Sequence, residues 1–404
     1  MPVSANPGTQ SAGAAAVALA PSVGRNAWLL PLVLYSAGHL LVDSYQGALA
    51  VLQPSLQVRY GLNFAQAGIL GGALVCSSSL MQPLYGYLYD RFRSRLFSAL
   101  GPAIAALFIS SLVWAKGMGG LLAMVILGGT GVAAFHPQAA SNAIATIQRN
   151  RGRAMAVFIC SGSLGLALGP LLFSALLSRD GLELARLGAL PGIAVSLLLL
   201  FWLPSVATSA HSREKFDWAA LRAVWKPLTV LYFLVLIRSI VQITFTQFLP
   251  LYLRSQRHYS IWAASVTLSL YLAGGAIGGL AGGNLADRFG GRLVILISMI
   301  GSVPFLALFV FGRGAWSQTG LFIGGLILLF TMPVNIVIAQ ELAPTQAGTV
   351  SALMMGFAFG LAGLVFIPLT GWVADIWSIQ LAFAGLITFP VFGFLLALKL
   401  PRGI

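Results

Sequence analysis

Negative charge is what this chain has least of. Only nine of its 404 residues are Asp or Glu, and all charged residues together make up 8%. Soluble domains carry about 25% charged residues, so an ordinary water-facing surface is excluded. Cysteine is nearly absent. Cys76 and Cys160 stand alone in apolar runs, which excludes a disulfide framework and a zinc-ligand spacing and reads as small packing residues. No G-x-x-x-x-G-K-[ST] string occurs, so no phosphate-cradling loop of that kind supports coupling to ATP. No basic stretch precedes "AGAAAVALA", so residues 1–24, rich in Ala, Ser, Gly and Pro, read as a flexible cytoplasmic tail rather than a signal peptide.

What is abundant is apolar length. Hydrophobic residues make up 58% of the chain, and the mean hydropathy is +0.90. A spanning helix needs about 20 mostly apolar residues. Twelve such runs are predicted, at 27–55, 64–89, 95–115, 119–147, 153–178, 184–203, 226–253, 260–286, 292–312, 316–342, 348–373 and 378–400. The one long polar break, "SVATSAHSREKFDWAALRAVWK", divides them six and six. The domain expectation is therefore a tail at 1–24, a six-helix bundle at 25–204, a cytoplasmic linker at 205–225 and a second six-helix bundle at 226–404.

The net charge of +14 follows from topology. With the N-terminus in the cytoplasm, the inside segments hold fifteen Lys or Arg and the outside loops seven, with Arg238 left within a span. That bias orients both termini inward. It also accounts for the high pI without any nucleic-acid partner. The partners expected are lipid, a small-molecule substrate and protons, with a monomeric chain and no cofactor or metal.

The two halves repeat. "GYLYDRFRSR" at 86–95 and "GNLADRFGGR" at 283–292 match in register at an offset of 197 residues. Each falls in the loop after the second span of its half. A weaker echo links "FHP" at 135–137 with "TMP" at 331–333. Two duplicated six-helix halves are the plan of a rocking transporter. In these loops Gly86 and Gly283 allow close helix approach, Asp90 and Asp287 can accept from a neighbouring helix N-terminus, and Arg91 and Arg288 can pair with acidic groups. The set reads as a cytoplasmic gating latch.

These loops resemble the signature of the major facilitator superfamily. Further strings resemble its fosmidomycin resistance family of bacterial efflux proteins: "HLLVDS" (39–44), "FAQAGIL" (64–70), "QPLYGYLYDR" (82–91), "FHPQAAS" (135–141), "GSLGLALGPLL" (162–172), "AQELAP" (339–344) and "VADIW" (373–377). The first loop departs from the pattern, since "RFRSR" lacks the Gly that the second copy has at Gly290. The resemblance implies an all-α polytopic protein of twelve transmembrane helices in two pseudo-symmetric six-helix bundles, the major facilitator fold. It also implies a bacterial inner-membrane location and efflux of compounds that include fosmidomycin. Under the same resemblance, Gly162, Gly165, Gly169 and Pro170 look like the glycine run of the antiporter branch. From the residues alone that run says close helix packing.

A charge at the centre of a spanning helix costs about 2.5–3.5 kcal/mol on insertion scales, so each one needs a reason. His39 and Asp43 share one face of the first span as i and i+4. Arg238 lies in mid-span of the seventh, and an offset of 197 maps it onto position 41, within a turn of Asp43. Opposite charges at matched depth predict an interaction across a central cavity, directly or through water. Asp43 with His39 is the candidate for proton coupling, because burial and nearby charge push a carboxyl in opposite directions. The plainer alternative is that Asp43 only fixes packing through His39.

Arg238 is the candidate clamp for an anionic substrate. His136, before the helix-bending Pro137, is a substrate donor, a second proton site or a satisfied structural histidine. Gln242, one turn from Arg238, is a candidate liner, with Gln247 and Asn335. Glu341 and Asp375 read as structural anchors at span ends. Without that phosphate-cradling loop, coupling must come from an ion gradient or from the substrate's own. Three other readings remain open: an exporter or importer of an endogenous metabolite, a non-transporting scaffold or sensor, and an intramembrane enzyme. The last would need a nucleophile with a base, or a metal set built from His39, Asp43 and His136.

Overall fold

The computed structural model describes residues 29–92, 94–144, 147, 151–203 and 218–401. The tail at 1–24 and most of the linker at 205–225 lie outside the described residues. So do Arg25, Arg93, Arg149, Arg213, Lys215 and Arg402, and the side chain of Asp90.

Apolar runs with no water to satisfy their backbone must close their hydrogen bonds internally, and in this chain they do so as helices. Each of the twelve predicted runs is helical: α1 Leu29–Tyr60, α2 Phe64–Tyr89, α3 Leu96–Ser110, α4 Gly117–Ala143, α5 Arg153–Leu177, α6 Gly181–Trp202, α7 Trp225–Arg257, α8 Ile261–Phe289, α9 Gly291–Phe311, α10 Gly314–Leu342, α11 Pro344–Ile376 and α12 Ile379–Ala397. Ten are long and apolar enough to cross a membrane. The other two have local reasons. α1 has 32 residues but carries His39, Asp43 and Gln46 at its centre. α3 stops after 15 residues and continues only through a single 3-10 turn, Leu112–Trp114. A short helix, Trp218–Ala223, leads into α7.

α1 packs on α5, α4, α3 and α6, while α7 packs on α11, α12, α8 and α10. Each half thus wraps its own first helix. The cores are aromatic, with Tyr35, Tyr45, Phe135 and Phe173 fully buried in the first bundle and Phe245, Tyr252, Phe309 and Phe383 in the second.

The bundles meet where α2 lies on α11, α5 on α8 and α1 on α7. Along α2 and α11 the approach is backbone to backbone. A Cβ on Gly68 would sit 2.7 Å from Ile367 O and 2.9 Å from Pro368 Cα, and one on Gly72 would sit 3.1 Å from the Pro368 ring. Both helices carry a π-turn, Cys76–Leu80 and Leu353–Ala358, and the two turns face each other. Beyond it, from Gln82 on, α2 packs on α4 of its own bundle. Cross-bundle contact therefore concentrates at the end of the molecule that holds Phe64 and Asp375. Asp375 is more than an anchor for its own helix. Its Oδ1 accepts from Phe64 N–H at 2.9 Å and its Oδ2 from Ala65 N–H at 2.8 Å, so it caps α2 from the opposite bundle.

At the other end lie the repeated segments, expected as loops but mostly helical. Gly86 and Arg91 fall in the helical stretch Gln82–Phe92, and Gly283, Asp287 and Arg288 in the last turns of α8, since both spans extend past their apolar runs. Arg91, Asp287 and Arg288 are exposed and make no hydrogen bond or ion pair among the described residues. Glu341 is likewise exposed in the last turn of α10.

Candidate functional site

α1 brings His39 and Asp43 onto the face that meets α4 and α5. Nε2 of His39 lies 3.4 Å from Asp43 Oδ2, and Nε2 of His136, from α4, lies 3.4 Å from Asp43 Oδ1. The two rings cross edge-on with centroids 5.0 Å apart, and His39 stacks on Phe158 at 4.3 Å. The other nitrogen of each ring is tied to backbone. Nδ1 of His39 donates to Phe158 O and Nδ1 of His136 to Val132 O, both at 2.8 Å. The trio is recessed without being sealed: the side chains of His39, Asp43 and His136 are 10%, 16% and 21% exposed. One carboxylate between two imidazoles can accept a cation. Among the described residues it is the one set whose His and carboxylate atoms converge closely enough, within 4.8 Å, to hold a metal.

The glycine run of α5 is what lets this cluster form. A Cβ on Gly162 would sit 2.6 Å from Asp43 Oδ2 and would also strike the His39 ring. Gly165 packs on Leu40 O and Gly169 on Ser44 O. The Ser44 hydroxyl donates to Leu40 O at 2.7 Å and to Gly165 O at 3.0 Å. α6 adds a second anchor for α1: the Tyr45 hydroxyl donates to Gly188 O at 2.8 Å and accepts from Gly192 N–H at 2.9 Å. A side chain in the α5 run must force α1 and α5 apart. Gly165→Ala is expected to destabilise the protein by about 1–3 kcal/mol, read as a lower melting temperature in detergent. Gly279→Ala, which points into open space, is expected to leave that temperature unchanged.

The second bundle holds the opposite charge. Arg238 on α7 is 5% exposed. Its guanidinium donates to Gln242 Oε1, one turn on. No carboxylate lies within ion-pair distance of it among the described residues, and its Nε has no partner. The direct Asp43–Arg238 contact expected from matched depth is not formed. Asp43 is taken by the two histidines and Arg238 by Gln242, because each group finds a closer partner within its own bundle. Further buried polar atoms in this bundle also lack partners: the Tyr271 hydroxyl, Gln247 Nε2 and both side-chain atoms of Asn335.

Tyr271, on α8, is 2% exposed. It escaped the sequence reading, because a lone tyrosine in an apolar run does not reveal which face it occupies. His136 was legible as a polar residue next to a helix-bending proline. That it shares the Asp43 carboxylate with His39 was not.

Two six-helix bundles around a helix-lined centre, with an acid and two histidines on one side and an unpaired arginine on the other, define a polytopic membrane transporter. The chain belongs to the major facilitator superfamily, whose family model matches residues 34–366. That family is one of transporters, not enzymes. The chain is 29% identical over 366 residues to the fosmidomycin resistance protein of Escherichia coli (strain K12), covering 89% of this chain and 90% of that one. It is 31% identical over 383 residues to the MFS-type transporter YfnC of Bacillus subtilis (strain 168), covering 92% of each.

Among solved structures, the fold matches a bacterial homolog of the human lysosomal transporter Spinster in an inward-facing, unoccupied conformation. The TM-score is 0.74 at 15% identity, over 92% of this chain and 95% of that one. It also matches the nucleoside transporter NupG, with a TM-score of 0.72 at 13% identity over 92% of this chain and 98% of that one. At such identities the likeness speaks for the fold alone.

Proposed function

We propose that this protein is a proton-coupled exporter of small anionic or amphiphilic compounds, fosmidomycin-like antibiotics among them, working by alternating access. The observation that carries this reading is a buried arginine without a counter-ion on one bundle and a recessed carboxylate held between two histidines on the other. An arginine buried without a counter-ion is costly unless something anionic joins it. The unpaired Nε of Arg238 and the partnerless hydroxyl of Tyr271 supply donors for such a guest. Gln242 and Asn335 complete the proposed substrate side. The Asp43 cluster supplies a cation site whose occupancy can change without involving those groups. The relationship to a fosmidomycin resistance protein supports the direction of transport and the class of cargo.

The remaining assignments belong to the same reading. The bundles 25–204 and 226–404 rock about the centre as a monomer in the bacterial inner membrane, with both termini and the repeated segments in the cytoplasm. Gly86, Asp90, Arg91, Gly283, Asp287 and Arg288 gate the cytoplasmic side, and the run Gly162, Gly165, Gly169 and Pro170 keeps α5 on α1. With that orientation the closed end, held by Asp375, faces outward and the state is inward-facing.

Reconstitution into proteoliposomes with an imposed proton gradient tests the function. Uphill movement of fosmidomycin is expected; flux indifferent to the gradient overturns the coupling, and absence of any solute flux favours a scaffold or sensor.

The Asp375 cap gives a separate test. Asp375→Asn removes its charge from the α2 N-terminus, an interaction of about 1 kcal/mol, or roughly fivefold in an equilibrium. Spin labels at Val58 and Arg254, on a background lacking Cys76 and Cys160, are expected to report a larger outward-open population. An unchanged distance distribution would remove Asp375 from the gate.

A further inference from the structure

The protonation pattern of the Asp43 cluster can be read from what its members touch. A backbone carbonyl only accepts hydrogen bonds. The Nδ1 atoms of His39 and His136, each 2.8 Å from such a carbonyl, therefore carry the ring hydrogen. In a neutral imidazole the other nitrogen is then a bare lone pair. For both rings that nitrogen is Nε2, and both Nε2 atoms face Asp43, one opposite each carboxylate oxygen at 3.4 Å. With no added proton, three acceptors converge without a donor between them. A proton on either Nε2 turns one of these repulsive contacts into a charge-assisted N–H···O bond, and a second proton does the same for the other.

We infer that the proton exchanged during transport is carried on the Nε2 atoms of His39 and His136, while Asp43 stays ionised as the fixed anion between them. This rests on the proton-coupled reading above and changes the carrier within it. Asp43 becomes the hub and His136 an equal partner of His39. The surroundings support the division of roles. α1 contributes His39 and Asp43 themselves, and α4 contributes His136. α5 brings the Phe158 ring, the side-chain-free Gly162 and the Phe158 carbonyl, which also accepts from the Ser161 hydroxyl at 2.6 Å, and none of these groups is charged. No Lys, Arg or second carboxylate among the described residues lies within ion-pair distance of the three. Protons therefore have two receiving nitrogens and one balancing charge. In the loading step hydronium gives up a proton, an N–H bond forms at Nε2, and water is left. Unloading reverses this on the other side of the membrane.

The test uses the full chain in lipid nanodiscs with 15N-labelled histidine. His39→Gln, His136→Gln, His211→Gln and His258→Gln assign the four rings. The expected result at the alkaline end is that His39 and His136 both show a protonated Nδ1 and a bare Nε2. On acidification both should gain an Nε2 proton in a linked transition. In Asp43→Asn the two rings should titrate independently, and infrared difference spectra of the wild type should show no carboxylic acid band assignable to Asp43.

The inference is overturned by a carboxylic acid band that vanishes in Asp43→Asn while both rings stay silent, or by a hydrogen on Nε2 at the alkaline end. Both spectra are first recorded on unmodified protein, so a variant that fails to fold does not remove the test. If the rings titrate as expected but flux ignores a proton gradient, the transport reading fails and the cluster assignment stands.

Discussion

Asp43→Asn is expected to abolish uphill export while leaving downhill flux and substrate binding in place. An amide fills the same volume and can still donate to one Nε2, so the α1–α4–α5 packing survives. What it lacks is the negative charge that two imidazolium rings need opposite them. Moving one charge across 100 mV supplies about 2.3 kcal/mol, enough for roughly a fortyfold concentration ratio. Wild-type vesicles should approach a gradient of that order for each charge moved. Asp43→Asn vesicles should relax to equal concentrations on both sides. The wild-type rate should vary with pH and the variant rate should not. Uphill movement at the original rate in Asp43→Asn would remove this carboxylate from the coupling mechanism altogether.

Arg238→Ala is expected to lower fosmidomycin affinity by between about tenfold and a hundredfold, since a hydrogen bond to a charged group contributes about 1.5–3 kcal/mol. Calorimetry on purified protein reads this directly. Arg238→Lys should recover part of the loss, because lysine keeps the charge but not the planar fork that grips two oxygens at once. Tyr271→Phe should cost less than Arg238→Ala, since it removes one neutral donor. The two sides of the site should also separate. Arg238→Ala weakens binding at every pH, whereas Asp43→Asn changes how flux responds to pH. An unchanged dissociation constant in Arg238→Ala would place the anion elsewhere.

Twelve apolar runs, a polar break after the sixth and two matched segments 197 residues apart predict the two-bundle architecture. This works because a bilayer leaves a backbone few choices: hydrogen bonds must close within the segment, and each segment must be long enough to cross. The exceptions were also physical. The best spanning stretch of α1 is less apolar than those of the other long helices because its centre carries His39, Asp43 and Gln46, and α3 is short because its last turn tightens.

The individual polar residues of the site were legible for the same reason. A His, Asp or Arg in an apolar run stands out because lipid makes it costly. Their partners were not. Pairing Asp43 with Arg238 followed from depth alone, and depth says nothing about rotation about the helix axis. The α5 glycines decide that rotation by drawing α1 close enough for His39 to reach Phe158 O and for Asp43 to lie against Gly162. The meeting of His136 with Asp43 and the Asp375 cap on α2 join residues 93 and more than 300 positions apart.

The sequence by itself determined that this chain crosses a membrane many times as two related halves, because hydropathy and repetition are properties of short stretches. Only the tertiary structure decided which buried charges face one another, because that depends on how closely and at what angle separate helices pack.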